Sequence, residues 1–172
     1  MKLTDHTDYS LRVLLYLAVR GPQLSKIRDI TRAYSISKNP LMRIAWQLAE
    51  HGWIETVLGP NGGLRLSGHS LDLTLGNVVR LLEGDFALAP CLPDRLGGSR
   101  ECVIAPHCRL RGALQAANQA FLDELDRHTI GDLVQSRDSL AELLGLRITV
   151  PIVPATAWGD ERDRVAHLRA VS

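Results

Sequence analysis

The apolar residues of the first fifty positions recur every three to four residues, which is the spacing of one face of an α-helix. This pattern predicts a first helix over residues 7–20, with a stripe made of Leu11, Leu14, Leu15 and Ala18. Gly21 and Pro22 follow and end it. A shorter stripe predicts a second helix that starts at Ser25 as its N-cap and runs to about Tyr34.

A third stripe, formed by Leu41, Ile44, Ala45 and Leu48, follows the segment SISKNP. Asn39 before Pro40 predicts a helix start, with the amide as cap and proline at the first helical position. Gly52 ends this helix. A short helix, a tight turn and a second capped helix are typical of a helix-turn-helix.

Two β-prone runs, over 54–58 and 64–66, flank the segment GPNGG and predict a hairpin. A helix-turn-helix followed directly by a hairpin is the order of elements in a winged helix. The fold class expected is therefore mainly α, with a winged helix-turn-helix domain and a two-stranded wing.

Beyond the hairpin, Thr74 caps a helix that Gly84 ends, and the longest helix covers residues 109–127. Its apolar stripe contains Leu110, Ala113, Leu114, Ala117, Phe121 and Leu125. Such a stripe usually packs against a second subunit, so we expect a homodimer. Thr129 and Ser139 are expected to start two short helices. The expected organisation is a DNA-binding domain over 1–84, a cysteine loop over 85–108, a dimerisation region over 109–146 and a flexible tail over 147–172.

Composition restricts the functional class. The chain is 45% hydrophobic and 23% charged, as expected of a soluble globular protein, and its net charge of +1 favours no particular partner. No secretory signal or membrane-spanning run is present in the sequence, and three cysteines are too few and odd for a disulfide framework, so we expect a cytoplasmic protein. No catalytic motif with the required context occurs, so we expect no enzyme.

Candidate DNA contacts lie at the start and outer face of the third helix, because major-groove readout uses those positions. They are Ser37, Lys38, Asn39, Arg43 and Gln47. The hairpin adds Asn61, Gly62 and Arg65, and Arg28 and Arg32 on the preceding helix are candidate phosphate contacts. The alternative interpretation is a helix-hairpin module with solvated charges that binds protein.

The cysteines Cys91, Cys102 and Cys108 have the spacing C-x10-C-x5-C. A zinc site usually shows paired C-x2-4-C hooks, and a redox pair a closer resolving thiol. Inert buried thiols are the third interpretation, although this loop is rich in Gly, Pro, Asp and Arg. The pattern favours the fourth, an iron–sulfur cluster, of the 4Fe–4S type or alternatively 2Fe–2S. In a 4Fe–4S cluster the fourth ligand would be a small molecule or, within the chain, His107 or a carboxylate such as Asp8 or Asp5.

Several segments together resemble the Rrf-type winged-helix regulators. They are MKLTDHTDYSLRVLLYLA, SISKNPLMRIAWQLAEHGWIETVLGPNGGLRL, LTLGNVVRLLEGD and CVIAPHCRLRGALQAANQAFLDELDRHTIGDLV, and they cover about residues 1–146. Within that family the chain is most similar to the nitric-oxide-sensing iron–sulfur repressors. The resemblance implies a homodimer on double-stranded operator DNA, with a cluster held by the three cysteines. It also implies that Asp8 of the partner subunit is the fourth ligand and that nitric oxide is the signal.

Three features bear on that resemblance. The C-x10-C gap is longer than in many relatives, and Asn39-Pro40 stands where Asn-His is more usual. The IscR-type regulators carry a histidine shortly after the third cysteine, whereas here His107 precedes Cys108, which disfavours their ligand set. Two alternatives stay open, namely a regulator of the same fold that senses iron, cluster status or redox stress, and a zinc or thiol interaction protein without DNA binding.

Overall fold

The structure is a computed structural model that describes residues 2–83, 87–92 and 102–147. These residues form six α-helices, one two-stranded antiparallel sheet and three short 3₁₀ turns. The helices are α1 (Asp5–Arg20), α2 (Ile27–Tyr34), α3 (Lys38–Glu50), α4 (Leu75–Leu82), α5 (Arg109–Asp126) and α6 (Arg137–Leu143), and the strands are β1 (Ile54–Val57) and β2 (Gly63–Leu66). The mainly α winged-helix architecture predicted from the sequence is confirmed.

The chain divides into two compact units. We call the first the cysteine-bearing unit; it contains residues 1–8 and Thr74–Thr129. We call the second the winged-helix unit; it contains Tyr9–Leu73 and, among the described residues, those from Ile130 to Arg147. The division falls inside α1, whose first turn belongs to the cysteine-bearing unit.

Apolar side chains from every element of the winged-helix unit are withdrawn from solvent. The buried set includes Leu14 and Leu17 of α1, Ile30 of α2, Leu41, Ile44 and Leu48 of α3, Leu64 and Leu66 of β2, and Ile130. Burial of each such side chain contributes about 1.5–3 kcal/mol. In α1 the buried positions are wider than the predicted stripe, because Val13 and Val19 are also buried while Leu11 and Leu15 are only partly so.

The start of α2 differs from the prediction. Lys26, rather than Ser25, is the N-cap, and the Asp29 carboxylate accepts a hydrogen bond from the Lys26 backbone N–H at 3.3 Å. Ser25 is instead extended, because its N–H and C=O both pair with Leu64 of β2 at 2.8 Å. The tertiary strand pairing therefore overrides the local capping preference of serine.

The start of α3 also differs. Ser37 is the N-cap and Lys38 the first helical residue, so Asn39 and Pro40 lie inside the first turn rather than before it. Proline is tolerated there because the first N–H groups of a helix have no intrahelical acceptor. At the other end Gly52 has a φ of +72°, and Trp53 N–H donates to the Leu48 carbonyl at 2.9 Å. This is a Schellman motif, and it explains why glycine ends the helix.

The wing has a single register. Ile54 pairs with Leu66, Glu55 with Arg65, Thr56 with Leu64 and Val57 with Gly63. A Cβ atom on Gly62 would lie 2.1 Å from the Val57 carbonyl oxygen, so this turn accepts only glycine. β1 ends at Val57, one residue before the predicted end.

In the cysteine-bearing unit the predicted cap of α4 is confirmed, since Thr74 Oγ1 accepts from Asn77 N–H at 3.2 Å. The predicted helix end at Gly84 lies outside the described residues. α5 ends at Asp126. In the single chain, all residues of its predicted stripe are exposed or half-buried, and the buried residue of the helix is Leu122, which lies outside that stripe. The homodimer stays a prediction.

The two short C-terminal helices begin elsewhere than predicted. Thr129 forms a β-bridge with Thr74, and Ser139 lies inside α6, whose N-cap is Ser136. The Asp132–Val134 turn precedes α6. The expected tail lies outside the described residues from 148 onwards. Along the described chain, no helix combines the length and apolar character needed to cross a membrane.

Candidate DNA interface and cysteine region

The outer face of α3 carries the predicted polar contacts. Lys38, Asn39 and Arg43 are exposed, and Gln47 is half-buried. Ser37 is exposed just before the helix. The opposite face, through Ile44 and its neighbours, packs into the core, which fixes the rotation of the helix and therefore the direction of these side chains.

Two apolar side chains share that outer face. Trp46 is 66% exposed and Met42 is 49% exposed. They are four residues apart and so lie one turn apart on the same side of α3. Trp46 is therefore not a core residue of the chain, and a large aromatic ring lies on the same outer face as Arg43.

The wing places its predicted residues differently. Asn61 is exposed at the turn, whereas the Arg65 guanidinium is paired with its cross-strand partner, Glu55. Arg65 Nη2 lies 2.6 Å and Nε 2.8 Å from Glu55 Oε2. Close packing explains both wing glycines without any contact to DNA. A Cβ on Gly63 would lie 2.7 Å from the Ser25 carbonyl oxygen, and one on Gly62 would clash with the Val57 carbonyl.

One cation at the wing, Lys26, is not among the contacts predicted from the sequence. Lys26 Nζ donates to the Pro60 carbonyl at 2.9 Å and so ties the turn of the hairpin to the start of α2. The two residues are 34 positions apart, and no local pattern signals the contact. Arg28, the second residue of α2, is largely exposed, with Nε 3.8 Å from the Asp29 carboxylate.

The three cysteines are free and half-buried. Cys91 lies in a turn in which Leu92 N–H donates to the Ala89 carbonyl, and Cys108 is the N-cap of α5. Thiolates are the usual ligands of iron–sulfur clusters, so the donor chemistry fits such a group. Within the described ranges, however, no three His, Cys, Asp or Glu side chains are arranged to hold a metal ion.

The candidate fourth ligands lie apart in the chain. Asp8 is half-buried in the first turns of α1, and His107 is exposed in the turn directly before Cys108. The structure does not gather either of them with the cysteines into a ligand group. The fourth ligand of the predicted cluster therefore stays a prediction.

A buried carboxylate fixes the start of α1, and the sequence analysis did not find it. Glu83 Oε1 accepts from Thr4 N–H at 2.7 Å and from Thr4 Oγ1 at 3.1 Å. Thr4 Oγ1 also accepts from Thr7 N–H at 3.3 Å, as a cap of the first turn does. Glu83 therefore positions the helical turn that carries Asp8 from 79 residues away.

The family model for Rrf2, described as an iron-dependent transcriptional regulator, matches residues 3–136. The chain belongs to the Rrf2 family. Among its relatives is the HTH-type transcriptional regulator NsrR of Bacillus subtilis, which is 43% identical over 148 residues, covering 86% of this chain and 99% of that protein. NsrR of Geobacillus kaustophilus is 43% identical over 145 residues, covering 84% of this chain and 97% of that protein.

Solved structures of other proteins share the fold of this chain. A putative transcriptional regulator from Listeria innocua has a TM-score of 0.62 at 28% identity, covering 78% of this chain and 87% of that chain. T. potens IscR has a TM-score of 0.61 at 18% identity, covering 81% of this chain and 90% of that chain, and shows the shared fold alone. The Rrf2 resemblance predicted from the sequence is confirmed, and the protein is a DNA-binding transcriptional regulator rather than an enzyme.

Proposed function

We propose that the protein is a homodimeric repressor whose affinity for its operator is controlled by an iron–sulfur cluster that reacts with nitric oxide. The observation that carries the DNA-binding part is the outer face of α3, where cationic and amide side chains are exposed beside a wing. Relatives named NsrR, matched over nearly their whole length, support the regulatory part.

The chemistry of the α3 face suits the major groove. Arg43 and Lys38 supply donors for phosphate or guanine acceptors, and Asn39 and Gln47 can pair an adenine edge. Trp46 and Met42 supply apolar surface that fits thymine methyl groups. In a two-fold dimer the two α3 helices would read half-sites about 34 Å apart.

The experiment for this part uses DNA that the wild-type protein selects from a random library. Arg43→Gln should weaken binding to the selected operator by about 10- to 100-fold, the usual effect of losing a base contact. Lys38→Gln should weaken all DNA more evenly and reduce the slope of log affinity against log salt by about 1. Arg127→Gln is the matched control, because Arg127 is an exposed arginine of the other unit. Unchanged affinity in both α3 variants, with correct folding, would refute the interface.

For the cluster, we propose Cys91, Cys102 and Cys108 as thiolate ligands, with 4Fe–4S favoured and 2Fe–2S as the alternative. Asp8 of the partner subunit is proposed as the fourth ligand, and His107 is the alternative ligand. When bound, the cluster supplies iron that reacts with nitric oxide. Cys108 caps α5, so a change in its ligation acts directly on the start of the proposed dimerisation helix.

Anaerobic purification and native mass spectrometry test the cluster by counting iron and sulfide per dimer. Cys108→Ser should lose the cluster. Asp8→Asn should change its stability towards nitric oxide, whereas Asp5→Asn should not, because Asp5 is exposed and pairs with Lys2 at 3.4 Å. An iron-free dimer that binds the operator at full strength would rule the switch out.

The second candidate function keeps the DNA role and changes the signal to iron supply or redox stress, which the family's description as iron-dependent favours. Operator affinity measured after iron chelation, after oxygen and after nitric oxide separates the two. If a stoichiometric dose of nitric oxide releases the protein from the operator while iron chelation does not, the first candidate is supported. Release by chelation alone, with no effect of nitric oxide, supports the second.

A further inference from the structure

A cleft of about 610 Å³ opens in the winged-helix unit, at the surface between α1, α2 and the segment that follows α6. Its volume falls in the range of small-molecule sites, about 300–1,000 Å³. It lies within one compact unit, and it shares no residue with the outer face of α3 or with the cysteines.

The charge of the cleft is predominantly positive. Three arginines line it, Arg20, Arg32 and Arg147, against a single acidic residue, Asp29. That carboxylate is already engaged at the start of α2, where it accepts from Lys26 N–H. Arg20 Nη1 donates to the Arg147 backbone carbonyl at 3.1 Å, a neutral acceptor that leaves the cationic charge uncompensated.

A buried hydroxyl in the same wall lacks a hydrogen-bond partner. Ser25 is 3% exposed and lines the cleft, and its Oγ has no hydrogen-bond partner among the described residues. Leaving such a group unsatisfied typically costs about 1–3 kcal/mol. A rotation of this side chain towards the cleft would let a ligand acceptor satisfy it.

The lining also includes apolar residues. Leu143, Leu144 and Leu146, at the end of α6 and just after it, border the cleft. A site with several cationic residues, one orphaned hydroxyl and neighbouring leucines has the composition of a pocket for a small organic ligand. We propose that this cleft binds a small organic anion, whose carboxylate or phosphate head lies between Arg20, Arg32 and Ser25 and whose apolar body lies against the leucines.

The position of Ser25 links the cleft to the wing. Its backbone pairs with Leu64 of β2, and the next residue, Lys26, holds the wing turn through the Pro60 carbonyl. An anion bound at Ser25 would restrain the segment that anchors the wing. This step rests on the proposed function, and it makes the cleft a second input to operator affinity, separate from the cysteines.

The binding test uses the whole protein without DNA and hexanoate as the probe, followed through the arginine Nε–Hε resonances of labelled protein. Hexanoate should bind saturably and shift the Arg32 resonance. Arg32→Gln and Ser25→Ala should each weaken it by about tenfold, as expected for a hydrogen bond to a charged group. Arg28→Gln, on the same helix but outside the cleft, should leave hexanoate binding unchanged.

Hexanol, which lacks the charge, and inorganic phosphate, which lacks the apolar body, should both bind at least about tenfold more weakly. Equal binding of hexanol or of phosphate overturns the assignment, as does the absence of saturable hexanoate binding in the millimolar range. Ser25→Ala should not destabilise the free protein, so a loss of binding there is not a loss of fold. Operator affinity with and without saturating hexanoate then tests the link to the wing. Because hexanoate binding is measured without DNA, a failure of the cleft to bind an anion is distinguishable from a failure of the proposed DNA-binding function.

Discussion

Arg80 of α4 and Asp126 at the end of α5 form a two-point ion pair, with Arg80 Nη1 2.7 Å from Asp126 Oδ1 and Nη2 in contact with Oδ2. Asp126 Oδ1 also accepts from Thr74 Oγ1 at 3.3 Å. The hydrogen bonds from Arg80 hold the pKa of the Asp126 carboxyl below its usual range. Asp126, at the end of α5, therefore holds both ends of α4, the N-cap through Thr74 and the last turn through Arg80.

Gly76 makes room for this pair. A Cβ on Gly76 would lie 2.0 Å from Asp126 Oδ1 and 2.9 Å from Arg80 Nη1. We expect Gly76→Ala to lower the free energy of unfolding by about 1–3 kcal/mol, as overpacking does. The measurement is chemical denaturation at fixed protein concentration.

Gly112→Ala is the control, because Gly112 lies within α5 with nothing within 4 Å of its would-be Cβ, and alanine there should be stabilising by about 0.5–1 kcal/mol. In an Asp126→Ala background, Gly76→Ala should cost less, because the clash is gone. Additive costs in the double variant would contradict the packing explanation.

Local signals predicted the elements well and their boundaries less well. The wing and the cap at Thr74 follow from a few consecutive residues, and the structure contains both. The start of α2 was misplaced because Ser25 pairs with Leu64, a partner 39 positions away along the sequence numbering. The outer face of α3 could be predicted because the helical period alone fixes which side is buried.

Contacts that join distant segments could not be predicted in this way. Glu83 with Thr4 and Lys26 with Pro60 depend on how the elements pack, and Arg65 with Glu55 depends on strand register. The cysteine spacing indicates which donors are available, but a spacing carries no information on how the thiols are arranged in space. For that reason the DNA face was easier to anticipate than the cysteine region.

Tyr34 predicts a loss of stability at high pH. Burial raises the pKa of Tyr34 to about 12, against the opposing charge of Arg12, whose guanidinium lies 5.7 Å from the ring centre. The unfolded chain releases this proton near pH 10 and the folded chain does not, so stability is fully present below pH 10 and falls as the pH rises towards 12. Tyr34→Phe should flatten that part of the profile.

At pH 7 the same variant should be as stable as the wild type or more so, because the Tyr34 hydroxyl is buried with no hydrogen-bond partner among the described residues. Tyr16, whose pKa is also raised by burial and whose ring lies 6.3 Å from that of Tyr34, should leave a smaller residual slope. Tyr9→Phe controls for loss of a phenol. An unaltered slope above pH 10 in Tyr34→Phe would show that Tyr34 is ionised in the folded state.

Removal of the Glu55 carboxylate should raise the affinity for the operator. This carboxylate occupies the Arg65 guanidinium and adds a negative charge to the wing. Under the proposed function, Glu55→Gln should strengthen operator binding by about two- to fivefold, since it removes from the wing a carboxylate that pairs with Arg65 and repels phosphate. Glu142→Gln, an exposed acid on α6, is the control, and affinity is measured at two salt concentrations. Weaker binding by Glu55→Gln would mean that the pair holds the wing in its binding geometry.

The contacts of Arg137 indicate that the segment from Ile130 to Arg147 stabilises the winged-helix unit. This side chain is buried; its Nε donates to the Val19 carbonyl at 2.7 Å and its Nη2 contacts the Arg20 carbonyl at 3.5 Å. Both acceptors belong to the last turn of α1, where a cation also interacts favourably with the helix dipole. Burial lowers the pKa of Arg137 and the Asp138 charge opposes this shift.

Arg137→Met should therefore lower the free energy of unfolding by about 1–3 kcal/mol, because it leaves buried carbonyls without a donor. Arg137→Lys keeps a charge but not the forked geometry that reaches two carbonyls, so its cost should be intermediate. Arg127→Met, at an exposed arginine, is the control for loss of a charge and should be near neutral. If Arg137→Met unfolds like the wild type, the carbonyls at the end of α1 are satisfied by other donors, and Arg137 does not stabilise the winged-helix unit.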